Sequence, residues 1–164
     1  MAAAQQRAGV RLAVDVGDTR VGLAASDPDA LIATPVMTLR RDPNRSSDIR
    51  MLGTIAADRA ARVIYVGLPL SLSGAETAST QKARDYASEL AADLSERGID
   101  AQVRLIDERL TTVSASAKMR SAGVAAKDQR PSIDQAAAVE ILTHALEARS
   151  SLGTEPGTPA DFPR

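Results

Sequence analysis

Three carboxylates stand where the local sequence calls for an apolar side chain, or at the close of an apolar run: Asp15 in RLAVDVG, Glu108 in RLIDERLTT and Asp134 in PSIDQAAAVEIL. Asp15 interrupts the hydrophobic run from Leu12 to Val16, and Glu108 closes the run that begins at Val103. Asp134 precedes Ala138 by four residues and Ile141 by seven. At about 3.6 residues per turn it therefore extends their core-facing stripe. A lone buried carboxylate costs several kcal/mol or neutralises itself through a pKa shift. Three that converge repel one another unless a cation lies between them, and hard divalent ions such as Mg2+ or Mn2+ accept an all-oxygen ligand set. These residue types in this pattern point to metal-dependent phosphoryl transfer.

Each acid also has an ordinary structural role open to it. Asp15 could initiate a turn, since Gly17 follows two residues later. Asp134 in the first turn of a helix would complement the macrodipole. Asp107 and Glu108 point to opposite faces of a strand, and one of them should face the site. Arg20 and Gly22 belong with Asp15, Arg20 as a surface charge or a ligand contact and Gly22 as a packing site or a bulge. Thr111 or Thr112 suits the N-cap of a following helix. His144 is the one histidine in the chain and has no partner for a metal site or a triad, which makes a structural or exposed role the natural one.

The elements that must carry these residues read as strands first, then alternation. Arg11–Val16 and Val21–Ser26 are apolar runs joined by Gly17-Asp18-Thr19-Arg20, a hairpin turn. Leu31–Leu39 supplies a third strand, held to an edge or a bulge by Pro35. Ser46–Ala61 has helical periodicity, and Val63–Gly67 is a strand buried on both faces. Gly67-Leu68-Pro69-Leu70 and the polar loop Ser71–Thr77 then lie at the carboxyl end of that strand, where open α/β sheets bind ligands. Thr77–Arg97 forms a helix with Gly98 as its C-cap, and Ala101–Ile106 a further strand. A short helix near Thr112–Ala122 and a last one over Ser132–Arg149 complete the pattern. The prediction is an α/β domain with a mixed five-stranded sheet flanked by helices, spanning residues 10–149. Residues 1–9 read as a flexible tail and residues 150–164, rich in Gly, Pro, Ser and Thr, as a disordered one.

Composition narrows the chemistry. A chain of 164 residues suits one domain, and 44% hydrophobic content places it among ordinary globular proteins. There is no cysteine, which removes disulfides, thiolate catalysis and structural zinc. Carboxylates are the acid–base and metal chemistry that remains. The net charge of −1 provides no global field toward nucleic acid. Locally, Arg109, Lys118, Arg120, Lys127 and Arg130 face a single acid, Asp128, in the stretch between two of the three carboxylates. That cluster is either a solvated helix face or a phosphate-binding one. No stretch approaches the roughly 18–20 apolar residues of a membrane span, and the start MAAAQQRAGV lacks the apolar core of a signal peptide. A bacterial-type cytoplasmic protein without a membrane partner is the expectation.

Asp15-Val-Gly17-Asp-Thr-Arg20-Val-Gly22-Leu-Ala24 closely resembles the first motif of the YqgF/RuvX family. Val66-Gly67-Leu68-Pro69-Leu70 with Gly74 is similar to its second, Asp107-Glu108-Arg109-Leu110-Thr111-Thr112 to its third, and Asp134-Gln135-Ala136-Ala137-Ala138 with Ile141-Leu142 to its last. The four motifs occur in the family's order and span nearly all of residues 11–149, which makes the set specific where any one would be weak. The resemblance implies an RNase H-like fold with Asp15, Glu108 and Asp134 as catalytic and metal-binding triad. It implies a small cytoplasmic nuclease, often a homodimer, linked to maturation of the 5′ end of pre-16S rRNA, with resolution of Holliday junctions as the alternative. One departure stands out. The family usually carries a lysine shortly before the last aspartate, whereas here Asp128-Gln129-Arg130-Pro131-Ser132 precedes Ile133, leaving Arg130 to supply the charge.

On this reading Asp15 bridges two Mg2+ or Mn2+ ions, with Glu108 and Asp134 completing their shells. Arg20, Arg109, Lys118, Arg120 and Arg130 are the candidates to contact the phosphates of structured RNA or branched DNA. With aromatics at only 2%, recognition should rest on backbone and shape rather than base stacking. Two rival classes remain in view. Actin-like sugar kinases and ATPases also begin a phosphate loop with Asp-x-Gly after a strand, but need two such domains. A non-catalytic nucleic-acid-binding module would keep the fold without the chemistry.

Overall fold

The computed structural model describes residues 8–110 and 126–160, apart from the side chains of residue 110 and of residues 126–132. Three antiparallel strands open the chain: β1 (Arg11–Val16), β2 (Arg20–Ser26) and β3 (Ala33–Arg40). Helix α1 (Ser47–Asp58) leads to β4 (Val63–Leu68), and α2 (Ala78–Glu96) leads to β5 (Gln102–Asp107). A single 3-10 turn, Glu108–Leu110, follows β5. Helix α3 (Ala126–Leu152) and a short β6 (Thr158–Pro159) complete the described order. The sheet runs β3-β2-β1-β4-β5-β6, with β1, β4 and β5 parallel.

Alternation along the central strand shows how the layers form. Ile64 and Val66 face α1 and α2, among Leu52, Tyr86, Leu90 and Leu94. Val63 and Tyr65 face α3, among Ala138, Ile141, Leu142 and Ala145. Every residue of β4 is buried, as a parallel strand covered on both faces requires. Fully burying each such aliphatic side chain contributes about 1.5–3 kcal/mol. Small residues dominate the α3 side, with Ala13 and Ala24 against Ala138 and Ala145. This close approach offsets the scarcity of aromatic bulk.

The hairpin, the edge position of β3 and the crossovers follow the sequence pattern, and Thr77 caps α2 in a reciprocal pair with Thr80. Gly98 takes a positive φ of 66° just past α2, where the backbone turns left-handed. Three expectations need correction. The last helix begins at Ala126 rather than Ser132. That start places Pro131 within α3, at the loss of one backbone hydrogen bond. The sheet has six strands rather than five, because a two-residue strand is too short to leave a periodic signal. The segment from residue 150 is not a disordered tail as far as Ala160. It finishes α3 and returns to pair with β5 through Leu105–Thr158 and Arg104–Pro159. The helix expected near Thr112–Ala122 lies outside the described residues.

Candidate active site

The parallel strands β1, β4 and β5 end side by side, and their carboxyl ends carry the candidate chemistry. Val14 pairs with Val66 and Gly67 with Ile106, so Asp15 leaves β1 beside Gly67 while Glu108 follows the last residue of β5. Gly67 is what lets them meet. A Cβ there would overlap Glu108 Oε1, so only glycine leaves the carboxyl room to lie across β4. Gly22 does the same for α3. It pairs with Asp15 across the hairpin, and a Cβ on it would overlap the backbone oxygen of Asp134.

Asp15 and Glu108 hydrogen-bond to each other through their side chains. Burial, that hydrogen bond and the charge of Asp15 push the Glu108 carboxyl up to about 9. Asp15 is also raised, chiefly by desolvation and further by the charge of Asp134, while the Glu108 hydrogen bond opposes the rise. The pair thus holds a proton at neutral pH that two solvated carboxylates would release. Asp134 is within electrostatic reach of Asp15 but is otherwise engaged: Arg20 Nε donates to its Oδ2 at 2.8 Å. Among the described residues, no three acidic or histidine side chains stand close enough together to hold a metal ion. The donors nevertheless suit a hard cation, because they are carboxylate oxygens, Glu108 buried and Asp15 and Asp134 partly so, with one guanidinium beside them. One proton and one guanidinium supply the balance in this arrangement.

The remaining expected residues divide clearly. Asp107, not Glu108, takes the exposed side and pairs with Arg109, whose Nη2 lies 2.6 Å from Asp107 Oδ2. That guanidinium holds Asp107 below the usual carboxylate range. Arg109 Nη1 reaches the loop after β4, where a Cβ on Gly74 would sit 3.0 Å away. Arg130 belongs to α3, but its side chain lies outside the described residues, as do Lys118, Arg120, Thr111 and Thr112. Of the expected Gly67–Leu70 connection, Gly67 and Leu68 are the last residues of β4, and Gly67 leaves room for the Glu108 carboxyl. Sequence reasoning passed over Arg40, the cross-strand partner of Arg20, which only the register of β2 and β3 identifies.

The architecture defines a class before it defines a family. Thermus thermophilus RuvC in complex with a Holliday junction substrate is 16% identical, with a TM-score of 0.56 over 92% of this chain and 99% of that one. A second structure of the same RuvC gives 0.52 at 19% identity. At that identity the likeness shows the fold, which is RNase H-like. The family model described as "RuvX: Holliday junction resolvase" matches residues 9–148. A protein named "Putative pre-16S rRNA nuclease" from Clavibacter michiganensis subsp. michiganensis is 52% identical over 151 residues, covering 92% of this chain and 91% of its own. One of the same name from Leifsonia xyli subsp. xyli is 45% identical over 155 residues, covering 94% and 96%. This chain belongs to the RuvX (YqgF) family.

Proposed function

We propose that this chain is a divalent-metal-dependent nuclease that hydrolyses phosphodiester bonds in the maturation of the 5′ end of pre-16S rRNA. The observation that carries the reading is the meeting of Asp15 and Glu108 over Gly67, with Asp134 in electrostatic range, in a chain of this family. Asp15, Glu108 and Asp134 would hold the cation, which when bound supplies Lewis-acid stabilisation and an activated water. To hold it, Asp15 and Glu108 would have to release their shared proton to solvent, and Asp134 would have to part from Arg20. The freed Arg20, with Arg109, Lys118, Arg120 and Arg130, contacts backbone phosphates. Tyr65 and Tyr86 are both buried in the core, so neither offers a base a stacking surface, and recognition rests on backbone and shape. No helix among the described residues is long and apolar enough to cross a membrane.

The test offers the purified protein a precursor 16S rRNA fragment and a four-way DNA junction side by side, with Mg2+ and with Mn2+. Cleavage of the rRNA near its mature 5′ end, lost in EDTA, is expected. Cleavage of the junction alone would move the chain to recombination, and binding without cleavage of either would leave it a nucleic-acid-binding module.

A further inference from the structure

Strand β2 begins at Arg20, and the residue directly opposite on β3 is Arg40. Facing side chains of an antiparallel pair have Cβ atoms about 4.5–5.5 Å apart, and like charges in that position destabilise the strands. This repulsion falls beside the carboxylate cluster, at the end of an edge strand. Neighbouring contacts fix which way the two residues face. Thr38, two positions before Arg40, accepts a hydrogen bond from Gln135 of α3 at 3.1 Å. Arg20 reaches Asp134 of the same helix, and Gly22 lies against its backbone. Residues 20, 22, 38 and 40 therefore share the face of the sheet that carries the site.

The two arginines differ in how they are satisfied. Arg20 is paired with Asp134, whereas the Arg40 side chain is exposed and, among the described residues, enters no hydrogen bond or ion pair. The adjacent Arg41 shows what a structural arginine looks like here. Its Nε lies 3.5 Å from the buried Asp48, its guanidinium sits 5.0 Å above the Tyr86 ring, and its Nη1 donates to the Gly17 carbonyl. Arg40 has no such duties. A pair of guanidiniums with one charge left over matches a singly charged anion that offers two acceptor oxygens, which is the chemistry of a phosphodiester.

We propose that Arg40, together with Arg20, grips a backbone phosphate flanking the one that reacts, which makes Arg40 a positioning residue set by the β2–β3 register. This rests on the nuclease reading for its ligand and adds a residue to the same site. The bound phosphate removes the Arg20–Arg40 repulsion that the free protein carries, and it attracts Arg20 away from Asp134.

The experiment measures binding of a fluorescent pre-16S rRNA fragment and of a four-way DNA junction across a salt series, in EDTA so that cleavage plays no part. Wild type, Arg40→Gln, Arg40→Lys and Arg59→Gln are compared. Arg59 is exposed and caps α1 just before β4, near the amino end of that strand, whereas the site lies at the carboxyl ends of β1, β4 and β5. Arg40→Gln should weaken both ligands about tenfold at low salt. It should also flatten the log–log salt dependence by about 0.7–0.9, the loss of one phosphate contact. Arg40→Lys should restore the slope but only part of the affinity, since an ammonium does not bind bidentately. Arg59→Gln should behave as wild type. Where Arg40→Gln perturbs melting, Arg40→Lys separates a folding defect from a lost contact. Wild-type affinity and slope in Arg40→Gln overturn the proposal, as does an effect confined to one ligand, because a phosphate contact carries no sequence information. Failure of the wild type to bind either nucleic acid would instead overturn the nuclease reading on which the proposal rests.

Discussion

Two carboxylate sites lie on the α3 face of the sheet, a group of three beside the first third of that helix and a single Glu155 just past its end, and the chain treats them in opposite ways. At the far end Glu155 receives Arg11 Nη2 at 2.5 Å, Arg149 Nε at 3.2 Å and the Tyr65 hydroxyl at 2.5 Å. Burial alone would raise Glu155, but the Tyr65 and Arg11 hydrogen bonds outweigh it and hold the carboxyl below its ordinary range. At the near end Arg20 pairs with Asp134 alone, Asp15 and Glu108 hydrogen-bond to each other, and Glu108 is pushed up to about 9. Both clusters are largely shielded from water, so burial does not separate them. What separates them is whether the chain brings its own countercharge. Glu155 is satisfied by residues of this chain and serves the fold. Asp15, Glu108 and Asp134 have one guanidinium beside them, that of Arg20 on Asp134, and the proposed metal-dependent reading places its cation there.

The sharpest way to break this contrast is Asp15→Asn, which keeps side-chain volume and removes the charge a metal bridge needs. Cleavage of pre-16S rRNA should fall about a thousandfold or more while thermal melting and RNA affinity in EDTA stay near wild type. Turnover equal to wild type would dissolve the triad. At the other cluster, Glu155→Ala leaves Arg11 buried without its partner. Removing one member of a buried pair costs about 3–5 kcal/mol, and the partial exposure of Glu155 reduces this to about 2–4 kcal/mol. Melting should drop by about 5–15 °C with no change in turnover per folded molecule. A variant of unaltered stability would remove the structural half of the comparison.

The two ends should also respond to pH with opposite signs. Glu108 has a folded pKa above its unfolded value of 4.5, so the folded state binds the extra proton. Its contribution to metal-free stability is therefore complete below that value and is lost as pH rises toward about 9. Glu155 has a folded pKa below its unfolded value of 4.5. Its contribution is present above that pH and is lost on acidification. Urea titrations in EDTA should show Glu108→Gln with less loss of stability than wild type toward alkaline pH, and Glu155→Gln with less loss toward acid. Parallel pH profiles for both variants would contradict the assignment. The smallest effect is expected from Arg20→Gln. Removing the cation that competes for Asp134 should tighten Mg2+ binding by up to about fivefold, in line with a partly exposed ion pair of 0.2–1 kcal/mol. Calorimetry that shows weaker Mg2+ binding would mean that Arg20 helps to hold the ion's ligands in place.

Much of this was legible in the sequence because the signals were local. An acid inside an apolar strand, a glycine two residues on and a stripe at helical spacing each leave a pattern within a few positions, which is why Asp15, Gly17 and Asp134 could be singled out. Glu108 could be chosen over Asp107 only through the family motif, since alternation shows that the two diverge but not which one faces inward. What stayed hidden depends on pairings between distant segments. The Arg20–Asp134 ion pair spans 114 residues, and Arg40 gains its significance only from the strand opposite it. The fate of residues 150–160 was concealed likewise. Their composition reads as disorder, and they are ordered by Glu155, together with the Arg104 guanidinium, which donates to the Pro156 and Gly157 carbonyls.

The short strand β6 has a second consequence when it is set beside Pro35. A sheet edge is a template on which another chain can assemble, and this molecule closes both of its edges. On one side β6 covers part of β5, Ala160 adds a backbone hydrogen bond to Val103, and Pro159 offers no amide proton to a further strand. On the other, Pro35 cannot donate to a further strand, and the register slips between Leu23–Met37 and Ala24–Pro35, so Val36 bulges out of β3. Each copy thus keeps its backbone ladder to itself. Replacing Pro35 with valine would add an amide donor to the β3 edge, and cutting the chain before Thr158 would uncover part of the β5 edge; light scattering should report aggregation, rather than an assay reporting loss of activity, as the first symptom.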